Sequence, residues 1–360
     1  MPALAHKPIT SKYTYNADVF PIFRDRCGAC HMAGGIAPMS LLTYKEAVPW
    51  AESIREELID EQMPPWFVPP GARAVRGAHA ISPQEIDTIV TWATGGTPEG
   101  DAAPRPKPAA RPNGWPAGPP DVVLAMTADY VVPADAQDIV NEIVLPTGFT
   151  SPRRVTLADL RPGSPDLVRD ATIAVDDGPL LAVWMPGEPP ERTPLGTAFD
   201  VAAGAHLRLR IHYKKPWQDE RKARSDRSSV GLYFAETGAP TRSVDAVSIE
   251  KEPGASHESA ASISTRLEAA ATIVSLHPQL DQPYGELEVH AVDPSGADIS
   301  LLHLHRPRPE WSRRYWLQTP AALPAGSRIE VRAVPAPIDP DEPPRVRSGV
   351  LQVAVGYVRR

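Results

Sequence analysis

The sequence predicts a multidomain chain in which a small all-α domain precedes an all-β, jelly-roll-like double sandwich. Three observations carry this. Helical periodicity is confined to the first hundred residues, a proline-dense stretch follows, and the remainder alternates short β-branched runs with Pro/Gly/Asp turns. A chain of 360 residues also exceeds one ordinary core. Composition divides it into residues 1–98, a linker at 99–120, a first sandwich at 121–245 and a second at 246–360.

Between Asn16 and Cys27, Val19, Phe20 and Phe23 share one helical face, with Asn16 as candidate N-cap. A second helix is read over 43–62, where Val48, Ala51, Ile54, Leu58 and Ile59 recur at spacings of three and four. Met63-Pro64-Pro65 stops it, because a residue before proline is pushed out of the α region. Ser82-Pro83-Gln84-Glu85 is a capping box with proline at the first helical position, and Gly95-Gly96 ends the helix it opens. The linker holds seven prolines in 22 positions and reads as an extended, semi-rigid spacer. Beyond it, strands are read at 122–124, 206–213, 230–234, 271–276, 286–292, 327–334 and 349–358.

The net charge of −7, from 37 basic and 44 acidic side chains, argues against a nucleic-acid partner. No apolar run reaches 18 residues, so no transmembrane segment is expected. The 43 prolines limit helix and favour edge strands and connectors. Only two cysteines occur, three apart, which is not a disulfide framework.

Those cysteines lie in Cys27-Gly28-Ala29-Cys30-His31, which matches C-x-x-C-H, the signature of covalent haem attachment. Two thiols at this spacing add to the two vinyl groups on one porphyrin edge, and the next residue offers an imidazole to the iron. A redox dithiol has no need of the histidine, and a zinc site would need two further ligands. One covalent haem c is therefore expected, with His31 as one iron ligand. Met63 is the candidate for the other, 32 residues on, at a helix end and followed by two stiffening prolines. Met39 and His79 are weaker candidates, and Met32 adjoins His31 too closely to reach the opposite face.

Residues 17–100 resemble a bacterial class of small cytochrome c domains. The matching pieces are Asp18-Val19-Phe20-Pro21-Ile22-Phe23, the attachment motif, Met63-Pro64-Pro65-Trp66, Ile81-Ser82-Pro83-Gln84-Glu85-Ile86 and Trp92-Ala93-Thr94-Gly95-Gly96. The resemblance implies that Met63 ligates iron and that Phe23 and Trp92 wall the haem; the plainer alternative makes both aromatics ordinary core. Covalent haem also implies a periplasmic or otherwise exported protein. Residues 1–18 carry no apolar leader segment, so a leader is expected to be absent from this sequence.

The C-terminal two thirds resembles, more weakly, the copper type II, ascorbate-dependent monooxygenases of the peptidylglycine-hydroxylating kind. Trp184-Met185-Pro186-Gly187 with Thr193-Pro194-Leu195-Gly196, Ile211-His212-Tyr213, Val230-Gly231-Leu232-Tyr233-Phe234 and Leu323-Pro324-Ala325-Gly326 carry that match. Of the six copper ligands it implies, only His212 is retained. Arg169-Asp170 falls where the family has paired histidines, Pro278-Gln279-Leu280-Asp281 replaces an H-x-H, and 349–358 has no methionine. Copper is therefore not expected. His303-Leu304-His305 places two rings on one strand face, able to bind a metal with His277 or His290 but read first as ordinary polar residues. The mixed-charge stretch 219–227 reads as a solvated loop, and no nucleophile elbow accompanies any Ser/His/Asp set.

The expected function is electron transfer by haem c to a redox protein partner, with a degenerate copper domain serving docking or interaction. The alternative is a monooxygenase whose haem supplies electrons to copper.

Overall fold

The computed structural model describes residues 10–77, 80–101, 114–251, 260–337 and 350–360. His79, most of the proline-rich linker and Gly349 lie outside the described residues.

The first helical rod is built from an α turn, Phe20–Ile22, flanked by π-helical turns at Tyr15–Val19 and Phe23–Cys27. Pro21 brings no N–H to this ladder. Its N-cap is Thr14 rather than Asn16: Thr14 Oγ1 accepts from the Ala17 N–H at 3.4 Å. Asn16 is instead buried and donates from its side-chain amide to the carbonyls of Gly100 and Asp101. The second helix is interrupted. Pro49 turns Val48–Trp50 into a 3₁₀ segment between Tyr44–Ala47 and Ala51–Ile59. Pro83–Thr94 has the expected reciprocal cap, with Ser82 Oγ accepting from the Glu85 N–H and Glu85 Oε2 from the Ser82 N–H. Tyr15, Phe20, Phe23, Ile54, Leu58, Ile89 and Trp92 close these pieces into a small aromatic core.

Everything beyond is β. Among the described residues nineteen strands form five sheets. A five-stranded sheet runs Val122–Ala125, Ser229–Phe234, Arg153–Arg161, Thr197–Val201, Arg242–Ser243. A four-stranded sheet runs Asp138–Pro146, His206–Lys214, Val168–Val175, Leu180–Trp184, and between these two sheets Val155, Leu160, Ile173, Leu207, Leu209, Val230 and Leu232 form one core. A third sheet runs Asp245–Glu250, Gln352–Arg359, Ala271–Gln279, Tyr315–Leu323, and a fourth Ala261–Arg266, Arg328–Pro335, Tyr284–Val292, Asp298–His305. Ile273, Leu287, Val289, Leu302, Val331 and Val353 fill the core between those. A two-stranded ribbon, Tyr130–Val132 with Arg224–Asp226, completes the set.

The two large cores meet through the third sheet. Ile273 faces one core while its neighbour Val274, with Trp316 and Val358, belongs to the other. A register shift between Ile273 and Ser275 lets the strand divide its side chains this way.

The fold class expected from the sequence, an all-α cytochrome c domain followed by a jelly-roll-like double sandwich, is corrected here. The chain is mostly β, with four principal sheets and few, short helices. Nor is the helical region a free-standing all-α body. Residues 66–76 leave it and run along the β portion, where Phe67 and Val75 are buried in the second large core. Val75 forms a β-bridge with Leu317, Arg76 N–H donates to Trp316 O at 2.8 Å, and Phe67 O accepts from His305 N–H at 2.8 Å. Periodicity reports which face a strand buries but not which distant strand it pairs with, so the arrangement of sheets could not be read from it.

Trp316 is fully buried where the two large cores meet, and its indole donates to Glu191 at 2.8 Å. Trp316→Ala should cost about 3–5 kcal/mol. Urea unfolding followed by far-UV circular dichroism checks this; a loss under about 1 kcal/mol would show that the junction does not depend on it.

Candidate functional site

Cys27 ends the π turn and the chain closes immediately behind it. His31 N–H donates to Cys27 O at 2.9 Å and Gly28 N–H to Phe23 O at 2.6 Å. A Cβ at Gly28 would lie 2.8 Å from Arg24 O, so only glycine fits this return. No disulfide joins the two cysteines. Burial, and next the neighbouring Cys30, pushes the Cys27 thiol up to about 12. Such a thiol stays protonated at neutral pH and is a poor attacking nucleophile, which counts against a redox dithiol.

His31 is half-buried, and its Nδ1 lies 3.2 Å from Met39 O. A carbonyl can only accept, so Nδ1 carries the proton and Nε2 keeps its lone pair. Burial lowers the pKa of His31, the Met39 hydrogen bond opposing, so the imidazole is held neutral. A neutral, oriented ring with Nε2 available is the form that ligates a metal. The donor set therefore fits a haem: two unbridged thiols three residues apart, followed at once by a ring in the ligating tautomer.

Met63 leaves the end of Ala51–Ile59, its N–H donating to Glu57 O at 3.2 Å, and is half-buried. The Met63–Pro64 peptide is cis. Phe23 and Trp92 are fully buried in the aromatic core of the helical region, edge to face with centroids 6.2 Å apart, and Trp92 donates to Pro98 O at 3.1 Å.

A loop of the β portion meets the attachment turn. Cys30 Sγ lies 3.3 Å from Pro186 O. Gly187, at φ +80°, approaches so closely that a Cβ would stand 2.7 Å from Ala29. Next along, Glu188 accepts from Arg313 at 2.8 Å. Glu191 accepts from Trp316, and its Oε2 lies 3.5 Å from Arg314 Nε. Burial raises the Glu191 carboxyl, with Arg314 opposing, and lowers the Arg314 guanidinium, with Glu191 opposing. Beside this pair is a cavity of about 40 Å³ lined by Asp159, Trp184, Met185, Glu188, Glu191 and Arg313. Burial pushes Asp159 up to about 6, against a hydrogen bond from Leu160 N–H. None of these charged residues was singled out from the sequence. The signal was present in Glu188-Pro189-Pro190-Glu191 and Arg313-Arg314, charges set among aromatic and apolar neighbours.

Of the other described histidines, His212, His290, His303 and His305 face carboxylates, His277 is buried and His206 is exposed. His212 Nδ1 lies 2.7 Å from Asp170 and Nε2 2.6 Å from Asp138, so both ring nitrogens donate and neither is left for a metal. Asp170 stands opposite His212 on the adjacent strand. Glu286 bridges His303 at 2.7 Å and His305 at 2.6 Å, and His305 also reaches Glu61 at 3.1 Å. His290 pairs with Asp298 at 2.9 Å. His277 is buried against Ser312, and burial, with Arg314 adding to it, pulls it down to about 3. Among the described residues no group of three or more His, Cys, Asp or Glu side chains is arranged to hold a metal ion. In the 219–227 stretch, Arg224 pairs with Asp219 and Asp166, and Lys222 with Asp219.

No protein family matches the chain, and no curated protein does. Solved structures similar to parts of it include a provisionally assigned alpha-L-fucosidase from Bacteroides ovatus ATCC 8483, with 11% identity over 77% of this chain and 43% of that one, TM-score 0.21. A Paenibacillus xanthan lyase aligns at 12% identity over 73% of this chain and 28% of its own, TM-score 0.18. The PBSX exported protein XepA aligns at 11% over 69% and 88%, TM-score 0.20. The chain thus spans less than half the length of the first two, and likenesses this loose carry no argument. Among the described residues no helix is long and apolar enough to cross a membrane.

Burial opposes protonation of His212, but Asp170 and then Asp138 outweigh it and raise its pKa above the ordinary imidazole value. The stability it contributes is full below the unfolded value of about 6.5 and is lost as pH rises through the folded one. Urea midpoints measured from about pH 6 to 9 should fall more steeply for the unaltered protein than for His212→Gln. Parallel profiles would show that the imidazolium is not part of the fold's stability.

Proposed function

We propose that this chain is a haem-c electron carrier, exported from the cytoplasm, that exchanges electrons with a redox protein partner. The observation that carries the reading is the hydrogen bond from His31 Nδ1 to Met39 O, which fixes the ligating tautomer directly after Cys27 and Cys30, two cysteines that no disulfide joins. Cys27 and Cys30 would hold the haem by thioethers, and His31 Nε2 and Met63 Sδ would occupy the axial positions. A bound haem supplies one-electron chemistry at a potential raised by the thioether ligand. The Met39 hydrogen bond aims the His31 imidazole and burial keeps it neutral, and Met63 would be the second residue to hold the iron. Trp50 at 40% and Ile59 at 51% are large apolar side chains left exposed in the helical region, and Ile59 lies four residues before Met63.

The reading in which the haem feeds a copper monooxygenase gains no support from the β portion, because both nitrogens of His212 are bound by carboxylates. The β portion instead serves docking or interaction.

Purified chain co-expressed with haem-ligation machinery should keep its pigment through acid-acetone extraction, and Cys27→Ala with Cys30→Ala should lose it. Met63→Ala should abolish the near-infrared charge-transfer band of Met-ligated ferric haem. A colourless protein rejects the proposal; persistence of the band in Met63→Ala removes Met63 from the site.

A further inference from the structure

We propose that Arg313, held by Glu188, is the positioning residue for Met63, so that the β portion locks the axial methionine in place. The inference rests on the haem reading and extends it to a part of the chain with no haem motif.

Of three consecutive residues of one β-portion loop, two touch the Cys27–His31 turn and the third holds Arg313, which reaches Trp66. Pro186 meets the Cys30 sulfur at 3.3 Å and Gly187 meets Ala29. A thioether has no proton to donate, so after attachment the Pro186 contact persists only as packing. Glu188 holds Arg313 at 2.8 Å, and the Arg313 guanidinium sits over the Trp66 ring, 5.0 Å from its centroid. Trp66 N–H in turn donates to Pro64 O at 2.7 Å, one residue from Met63. The Trp66 ring is backed by Tyr315 at 6.1 Å.

The other side of Met63 is anchored as well. Glu61 reaches His305, and Phe67 O accepts from the backbone of the same residue. Met63 therefore hangs between two points, Glu61 and Trp66, that are both fixed to the β portion. The Arg313 side chain is only 12% exposed, and its pairing with Glu188 and stacking on Trp66 satisfy its charge away from bulk water. A planar guanidinium does both at once; a lysine would keep the charge and lose the flat stack.

An external ligand can bind the iron only when Met63 has left it, so apparent affinity for imidazole reports the released fraction. Full-length ferric protein is titrated with imidazole, following loss of the charge-transfer band. Arg313→Ala should bind imidazole about fivefold more tightly than the unaltered protein, and Arg313→Lys and Glu188→Gln by a smaller factor. Midpoint potential should fall in the same order, with covalent haem content and far-UV circular dichroism unchanged. Equal imidazole affinity and equal potential across the series overturn the inference. If Arg313→Ala fails to fold, the two milder variants decide it, and unaltered behaviour in both overturns it. Covalent haem without a charge-transfer band in the unaltered chain also overturns it while leaving haem attachment standing. No covalent haem in the unaltered chain rejects the proposed function itself.

Discussion

Residues 67–76 cover two sheet edges, and the rest of the arrangement depends on that. Tyr315–Leu323 is the last strand of one sheet and Asp298–His305 the last of another. Unpaired edge groups demand partners. The segment supplies them through Phe67 O, Ala74 O and Arg76 N–H, while Phe67 and Val75 enter the core behind. Because this segment begins just past Met63, pairing a β edge also fixes the chain that follows the methionine. The helical region is thus tied to the β portion by backbone hydrogen bonds and buried side chains, not merely by a linker.

The same region concentrates the chain's most costly electrostatics. Arg314 is withdrawn from water between the β halves beside the half-buried Glu191, to whose carboxylate Trp316 donates. Removing one member of such a group strands the other, so the pair acts as a registry device for the surfaces that meet there. The loop that carries Glu191 also carries Pro186, Gly187 and Glu188 to the attachment turn. Packing between the two β cores and geometry at Cys30 are therefore set by one short run of residues.

His212 shows how strand pairing decides what a histidine does. A ring with both nitrogens donating to carboxylates is a buried cation in a closed ion triad, a structural element that pins three strands. The sequence suggested a residual copper ligand at this position because the Ile-His-Tyr phrase survives. What the phrase could not convey was the identity of the residues facing it. Asp138 and Asp170 lie 74 and 42 positions away, and only strand pairing brings them to the ring.

The sequence by itself determined the local chemistry: the Cys27/Cys30/His31 spacing, the capping box at Ser82 and Glu85, and the positions of seven of the nineteen described strands. Each of these is decided within a few residues by backbone sterics, short-range hydrogen bonds or alternation. The tertiary structure alone decided that the chain is mostly β with four principal sheets, that residues 66–76 belong to the β portion, and that Glu188, Arg313, Asp138 and Asp170 matter. Those outcomes depend on contacts between residues tens to hundreds of positions apart. Periodicity is blind to such contacts, because it records which way a side chain faces and not what it will meet.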